Sequence, residues 1–137
     1  MAALAALIDA NVFYSMAATD IVIETAKAGH FRARWTDRIH DEWGRNLLKN
    51  NPARTTQALA RRRKAMNTAI RDALVTGYEP LIPALNLPDP GDCHVLAAAI
   101  VGQCDAIVTF NLRHFPAAVL VPHGIVAIHP DTFCWTA

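Results

Sequence analysis

At 137 residues the chain is long enough to bury roughly two-thirds of its unfolded surface without disulfide or metal staples, so one domain spanning residues 1–137 is expected. No stretch is apolar over the roughly 18 residues that a membrane span needs, and no basic run precedes the Ala-rich start that Asp9 interrupts, which predicts a soluble, cytoplasmic protein without a membrane partner. The net charge of +1 hides an asymmetry, because residues 32–64 hold ten of the thirteen Lys and Arg and balance to +7 while the remainder balances to −6.

Leu4, Leu7 and Ile8 lie in a run without turn residues, as in a buried parallel strand, and Asp9 places a charge at its exit. Thr19 is a candidate cap for a helix from Asp20 to about Ala28, ended by Gly29. Thr36 opens a second helix with Ile39, Trp43 and Leu47 on one face and Glu42 flanking them. Asn51-Pro52 reads as the start of a third, running through Leu59, Met66, Ile70 and Leu74 to about Val75. Gly77 breaks it, Tyr78–Ile82 reads as a short strand, and Pro83–Pro90 as a loop. An apolar helix over Asp92–Val101, ended by Gly102, leads to a strand at Ala106–Thr109, and a last strand covers Ile125–Ile128 before Pro130.

Strands alternating with helices predict an α/β fold with a central, mostly parallel sheet and right-handed crossovers. Ligands of such sheets collect beyond the carboxyl ends of the strands, at a topological switch point. Asp9 and Asn111 stand at two strand exits and Asp92 at a helix start, so the three can share one edge of the sheet. Carboxylates about 4 Å apart repel by roughly 4 kcal/mol at an effective dielectric near 20, and a hard divalent cation relieves the conflict. Oxygen ligands suit Mg²⁺ or Mn²⁺; the six histidines show no zinc-site spacing. Cys93, Cys104 and Cys134 form no Cys-x-x-Cys pair, and their odd number speaks against a disulfide framework and for a reducing compartment. Cys93 and Cys104 read as small buried hydrophobes.

Asp9-Ala10-Asn11, Asp41-Glu42-Trp43, the run Asp89-Pro90-Gly91-Asp92-Cys93-His94-Val95-Leu96, and Val108-Thr109-Phe110-Asn111-Leu112-Arg113-His114-Phe115 resemble the PIN-domain family, particularly its bacterial toxin-like members related to VapC. The likeness covers nearly the whole chain. It implies a PIN-like three-layer α/β/α fold, a Mg²⁺- or Mn²⁺-dependent endoribonuclease activity that attacks RNA phosphodiesters with a metal-activated water, and a place as toxin of a type II toxin–antitoxin system with a cognate antitoxin protein. It further implies that Asp9, Glu42 and Asp92 are catalytic acids of the metal site, with Asp89 a further acid at its rim. Many members carry a fourth acid where this chain has Asn111, and some carry another where it has His114.

Each residue has a plainer reading beside this one. Asp9 can be a strand-end turn former, Glu42 a surface acid paired with Arg45, Asp92 a helix cap and Asp89 a turn before Pro90. Asn11, Thr109 and Asn111 either orient the acids through hydrogen bonds or satisfy loop backbone. Arg34, Arg45, Arg61, Arg62, Arg63 and Lys64 either guide RNA through its phosphates or form a solvated face. Trp35, Trp43 and the Phe residues read as core rather than as base-stacking platforms. The competing function is a catalytically impaired PIN-like module that binds RNA or protein, suggested by Asn111 and His114, and a homodimer is compatible with either. A covalent phosphohydrolase finds no Ser/Thr–Lys constellation or Gly-rich phosphate loop in support.

Overall fold

The structure, a computed structural model, describes residues 3–136 and their side chains as far as Phe133. The side chain of Cys134 and the end of the chain at Ala137 lie outside the described residues. Among the described residues four strands, β1 (Ala5–Ile8), β2 (Arg32–Arg34), β3 (Ala106–Val108) and β4 (Val126–Ile128), form one sheet in the order β2-β1-β3-β4, with all three pairings parallel. The sheet is therefore wholly parallel. β1 and β3 are its central strands and are buried at every residue, which is why they read as continuous apolar runs rather than alternating ones.

Among the same residues six α-helices accompany the sheet: α1 (Met16–Lys27), α2 (Asp37–Asn50), α3 (Thr56–Ala69), α4 (Cys93–Val101), α5 (Ala117–Leu120) and α6 (Pro130–Thr136). The crossover through α1 leads from β1 to one side, and the one through α4 leads back past β1 to β3 on the other. Right-handed connections in opposite directions place these helices on opposite faces, giving the three-layer α/β/α architecture. The same reversal makes the gap between β1 and β3 the switch point of the sheet.

α2 follows the sequence pattern closely. Thr36 caps it by accepting the Ile39 N–H at 3.0 Å, and Ile39, His40, Trp43 and Leu47 are its buried residues. Other elements depart from expectation for identifiable reasons. α1 begins four residues before Asp20, because Ser15 accepts the Ala18 N–H, while the buried Thr19 hydroxyl donates back to the Ser15 carbonyl. α3 begins at Thr56, capped by Thr55, since Asn51 is engaged in ending α2. It stops at Ala69 rather than near Val75 because residues 73–75 extend beside Trp35, exchanging backbone bonds of 2.9 and 2.8 Å and lengthening the sheet edge. Glu79–Ala84 is a 3-10 turn, not a strand; Pro80 and Pro83 supply no N–H for a ladder. β2, short and rich in arginine, carries no apolar signal and is not anticipated by the sequence pattern.

Cys93 and Cys104 are free and buried among apolar side chains, as packing groups are, and burial pushes the Cys104 thiol up to about 11. No helix among the described residues is long and apolar enough to cross a membrane.

Candidate active site

β1 ends at the switch point, and the chain turns at once into a 3-10 turn (Ala10–Tyr14) for which Asp9 is the cap. Asp9 is only 7% exposed. Its Oδ1 accepts the Ala10 N–H at 2.8 Å, and its Oδ2 accepts the Thr109 hydroxyl at 2.9 Å and the Asn11 amide at 3.3 Å. Asn11 ties the two strand exits together, donating to Thr109 Oγ1 at 3.2 Å and accepting the Phe110 N–H at 3.2 Å. Asn11 and Thr109 thus both hydrogen-bond the buried carboxylate, and Asn11 also satisfies the loop backbone at Phe110.

Asp92 and Glu42 reach the same place from helices. Asp92 precedes α4 but makes no capping bond; the turn is held by Asp89, which accepts the Gly91 N–H at 2.8 Å. The Asp92 carboxylate is left to face the site, 20% exposed, with Oδ2 at 2.9 Å from His114 Nδ1. Glu42, 30% exposed on α2, turns to His94 of α4 rather than to Arg45, its Oε1 at 3.1 Å from His94 Nε2. His94 is buried, and its Nδ1 has no hydrogen-bond partner among the described residues.

The acids act on one another. Burial pushes the Asp9 carboxyl above its ordinary value, the bonds from Thr109 and Ala10 pull it back, and the charges of Asp92 and Glu42 raise it further. Asp92 is raised as well, by burial first, with His114 pulling it down and Asp89 pushing it up. Asp89, Asp92 and His114 each offer a ligand atom within 4.8 Å of the others. Asp9 and Glu42 lie outside that group, and the charges of Glu42 and Asp92 reach Asp9. Carboxylates with raised pKa, as Asp9 and Asp92 have, are what a divalent cation stabilises, so the residues present fit a divalent-cation site.

Asn111 is less engaged. Its backbone N–H donates to Thr109 Oγ1 at 3.1 Å, but its amide caps nothing and is exposed. His114, three residues on, makes the contact with Asp92. Sequence reasoning misses His94 and Tyr14. His94 lies in an apolar helix where a core histidine is the plainer reading, yet its place two residues after Asp92 is a usable signal. Tyr14 closes the turn that Asp9 opens, and burial together with the charges of Asp9 and Glu42 raises its phenol.

The arginines divide into two groups. The Arg62 guanidinium donates to the Phe13 carbonyl at 2.8 Å and to the Thr19 hydroxyl, and lies 4.8 Å over the Trp43 ring. Arg63 bridges Asp37 and Asp41 at 2.7 Å each, and Arg34 donates to the Gly102 carbonyl at 3.0 Å, closing the end of α4. These three are engaged within the fold. Arg45, Arg61 and Lys64 are exposed.

Comparison with known proteins places the chain among relatives. A family model described as PIN domain matches residues 5–113. A curated relative from Mycobacterium tuberculosis (strain ATCC 25618 / H37Rv), named "Putative ribonuclease VapC50", is 49% identical over 61 residues. That alignment covers 44% of this chain and 36% of the relative, so the match spans about a third of the relative's length. No solved structure matches the chain.

Proposed function

The chain belongs to the PIN-domain family, and from that premise we propose that it is a divalent-metal-dependent endoribonuclease acting as the toxin of a type II toxin–antitoxin pair. What supports this reading is the buried carboxylate of Asp9 at the switch point, raised by burial and by the charges of Asp92 and Glu42, beside the ligand cluster of Asp89, Asp92 and His114. The name of the mycobacterial relative supports the ribonuclease assignment.

Asp9, Glu42 and Asp92 would hold Mg²⁺ or Mn²⁺, with Asp89 and His114 at the rim. Such an ion supplies a water of lowered pKa and neutralises charge that develops on a phosphodiester. Around it, the chain's own residues have separable tasks. Thr109 and Asn11 fix Asp9 Oδ2 so that the buried acid presents one orientation. His94 grips Glu42 at Oε1 and leaves Oε2 for the cation or for the proton of the attacking water. Arg45, Arg61 and Lys64 hold RNA phosphates on the approach from α2 and α3.

A second reading, a PIN domain that binds RNA or protein without efficient cleavage, is favoured by one contact. His114 engages Asp92 Oδ2 directly, and the neighbouring Asn111 brings no charge. The discriminating experiment incubates purified protein with structured and unstructured RNA in EDTA, Mg²⁺ and Mn²⁺ and maps the cut ends. Cleavage that appears with either metal and vanishes in EDTA supports the enzyme; RNA binding without cleavage under all three conditions supports the module. The toxin role is tested separately, by growth arrest of a bacterial host on expression and its rescue by co-expression of the neighbouring small gene.

A further inference from the structure

The described aromatic side chains fall into two sets. Phe13, Phe31, Trp35, Trp43, Tyr78, Phe115 and Phe133 are all buried, the Trp and Phe residues among them as the sequence reading expects. Phe110 departs from that reading at 42% exposed, and Tyr14 is 40% exposed. A single exposed aromatic ring needs no explanation. Here both exposed rings stand on the two loops that carry the catalytic acid Asp9 and its partner Thr109.

Phe110 directly follows Thr109, and its backbone N–H is pinned by Asn11. Its ring meets His129 edge-on, with centroids 5.1 Å apart and planes at 86°. The ring is therefore held in place by one neighbour and still substantially exposed. It lines an open pocket of about 440 Å³ with Asn111, Leu112, Arg113 and His114. His114 is shared between this pocket and the acid cluster through its contact with Asp92. Asn111 contributes an exposed amide, with both a donor and an acceptor, and Arg113 an exposed guanidinium. An aromatic face beside an amide and a cation is the chemistry that recognises an unstacked nucleobase and its phosphate.

Resting on the ribonuclease reading, we propose that Phe110 is a stacking platform for a nucleobase of single-stranded RNA next to the scissile phosphate. Asn111 faces that base's hydrogen-bonding edge and Arg113 its phosphate. Tyr14 supplies a second ring on the side of Asp9 and Glu42. The surroundings favour a base over a protein side chain, because amide, guanidinium and imidazole groups border the exposed ring.

The test is a titration of the full chain, in EDTA, with a short single-stranded oligoribonucleotide carrying 2-aminopurine at successive positions. Stacking should quench the fluorophore at one position. Phe110→Leu should abolish that quenching and weaken binding by about 5-fold to about 150-fold, the loss that follows removal of one stacked base. Phe110→Trp should restore both, and both variants should melt as the wild type does. Equal binding and quenching by Phe110→Leu overturns the subsite. Absence of RNA binding by the wild type also overturns it. Mn²⁺-dependent cleavage measured on the same preparation then decides, independently, whether the ribonuclease reading falls with it.

Discussion

Helix α2 contributes to two polar clusters built on opposite terms. At His40 it enters a closed network: Trp43 Nε1–H donates to His40 Nδ1 at 2.9 Å, leaving the proton on Nε2 to reach Asn67 Oδ1 at 3.0 Å. Asn67 Oδ1 also accepts Trp35 Nε1–H at 2.7 Å. Burial lowers the His40 pKa, and the ring is hydrogen-bonded at both nitrogens. Two residues later Glu42 enters a cluster of acids in which its charge and that of Asp92 raise the Asp9 carboxyl. The first cluster is satisfied within the fold and stabilises it; the second gathers acids whose strain, on the proposed reading, a bound cation relieves. The difference separates scaffold from site more sharply than burial does, since Asp9 and His40 are both buried.

The largest way to sharpen this contrast is to neutralise an acid. Asp9→Asn or Asp92→Asn should lower cleavage by about 100-fold or more, at or above the loss that removing an outer partner of a metal ligand causes. In EDTA the same variants should unfold at equal or higher denaturant concentration than the wild type, because the repulsion is relieved. Cleavage at the wild-type rate with native circular dichroism would place these residues outside the chemistry.

The mirror experiment opens the closed cluster. Asn67→Leu strands two donors, Trp35 Nε1–H and His40 Nε2–H, and should cost about 2 kcal/mol of stability in urea unfolding. Cleavage by the folded fraction should stay at the wild-type level. A large loss of activity without a loss of stability would mean that the network positions Glu42 and is not scaffold alone.

How much of this is legible in the sequence follows the same division. The Thr36 cap and the Ile39, Trp43, Leu47 stripe are readable because local signals and burial agree there. Asp9 is readable because a charge closes an apolar run. The start of α3 is not, because Asn51-Pro52 carries a genuine initiation signal that the end of α2 uses instead. Neither β2 nor the extended residues 73–75 can be seen, since each is extended through pairing with a distant strand or residue. The pairing of His94 with Glu42 joins residues 52 positions apart, and local sequence does not show which acid His94 meets.

Acidity should move the two clusters in opposite directions, a smaller effect. His40 has a folded pKa below its ordinary 6.5, so its contribution to stability is complete above 6.5 and is lost as pH falls from there through the folded value. Asp9 has a folded pKa above 3.8, so its ionised form begins to destabilise as pH rises from 3.8 and does so fully above the folded value. In EDTA, the stability advantage of Asp9→Asn should therefore grow with rising pH through that window and then level off. Denaturant unfolding of wild type and variant from about pH 4 to about pH 8 reads this difference directly. An advantage that does not change with pH would show that Asp9 is not the strained acid.

The smallest effects come from neighbours in α3 whose sequence looks uniform. Arg62 stacks on Trp43, a member of the closed network, and binds Phe13 and Thr19, while Arg61 and Lys64 point to solvent. Arg62→Gln should cost about 1 kcal/mol of stability by removing that stacking and those hydrogen bonds, and leave the salt dependence of RNA binding unchanged. Replacing both Arg61 and Lys64 with Gln should leave stability within about 0.5 kcal/mol. It should also flatten the slope of log K against log salt by roughly 0.7 for each RNA phosphate that the protein no longer neutralises. Binding titrations at three salt concentrations and urea melts of the same proteins separate the two roles. If Arg62→Gln flattens the slope while Arg61 and Lys64 do not, RNA runs along the α1 side of α3, and the arginine assigned to the scaffold belongs to the site.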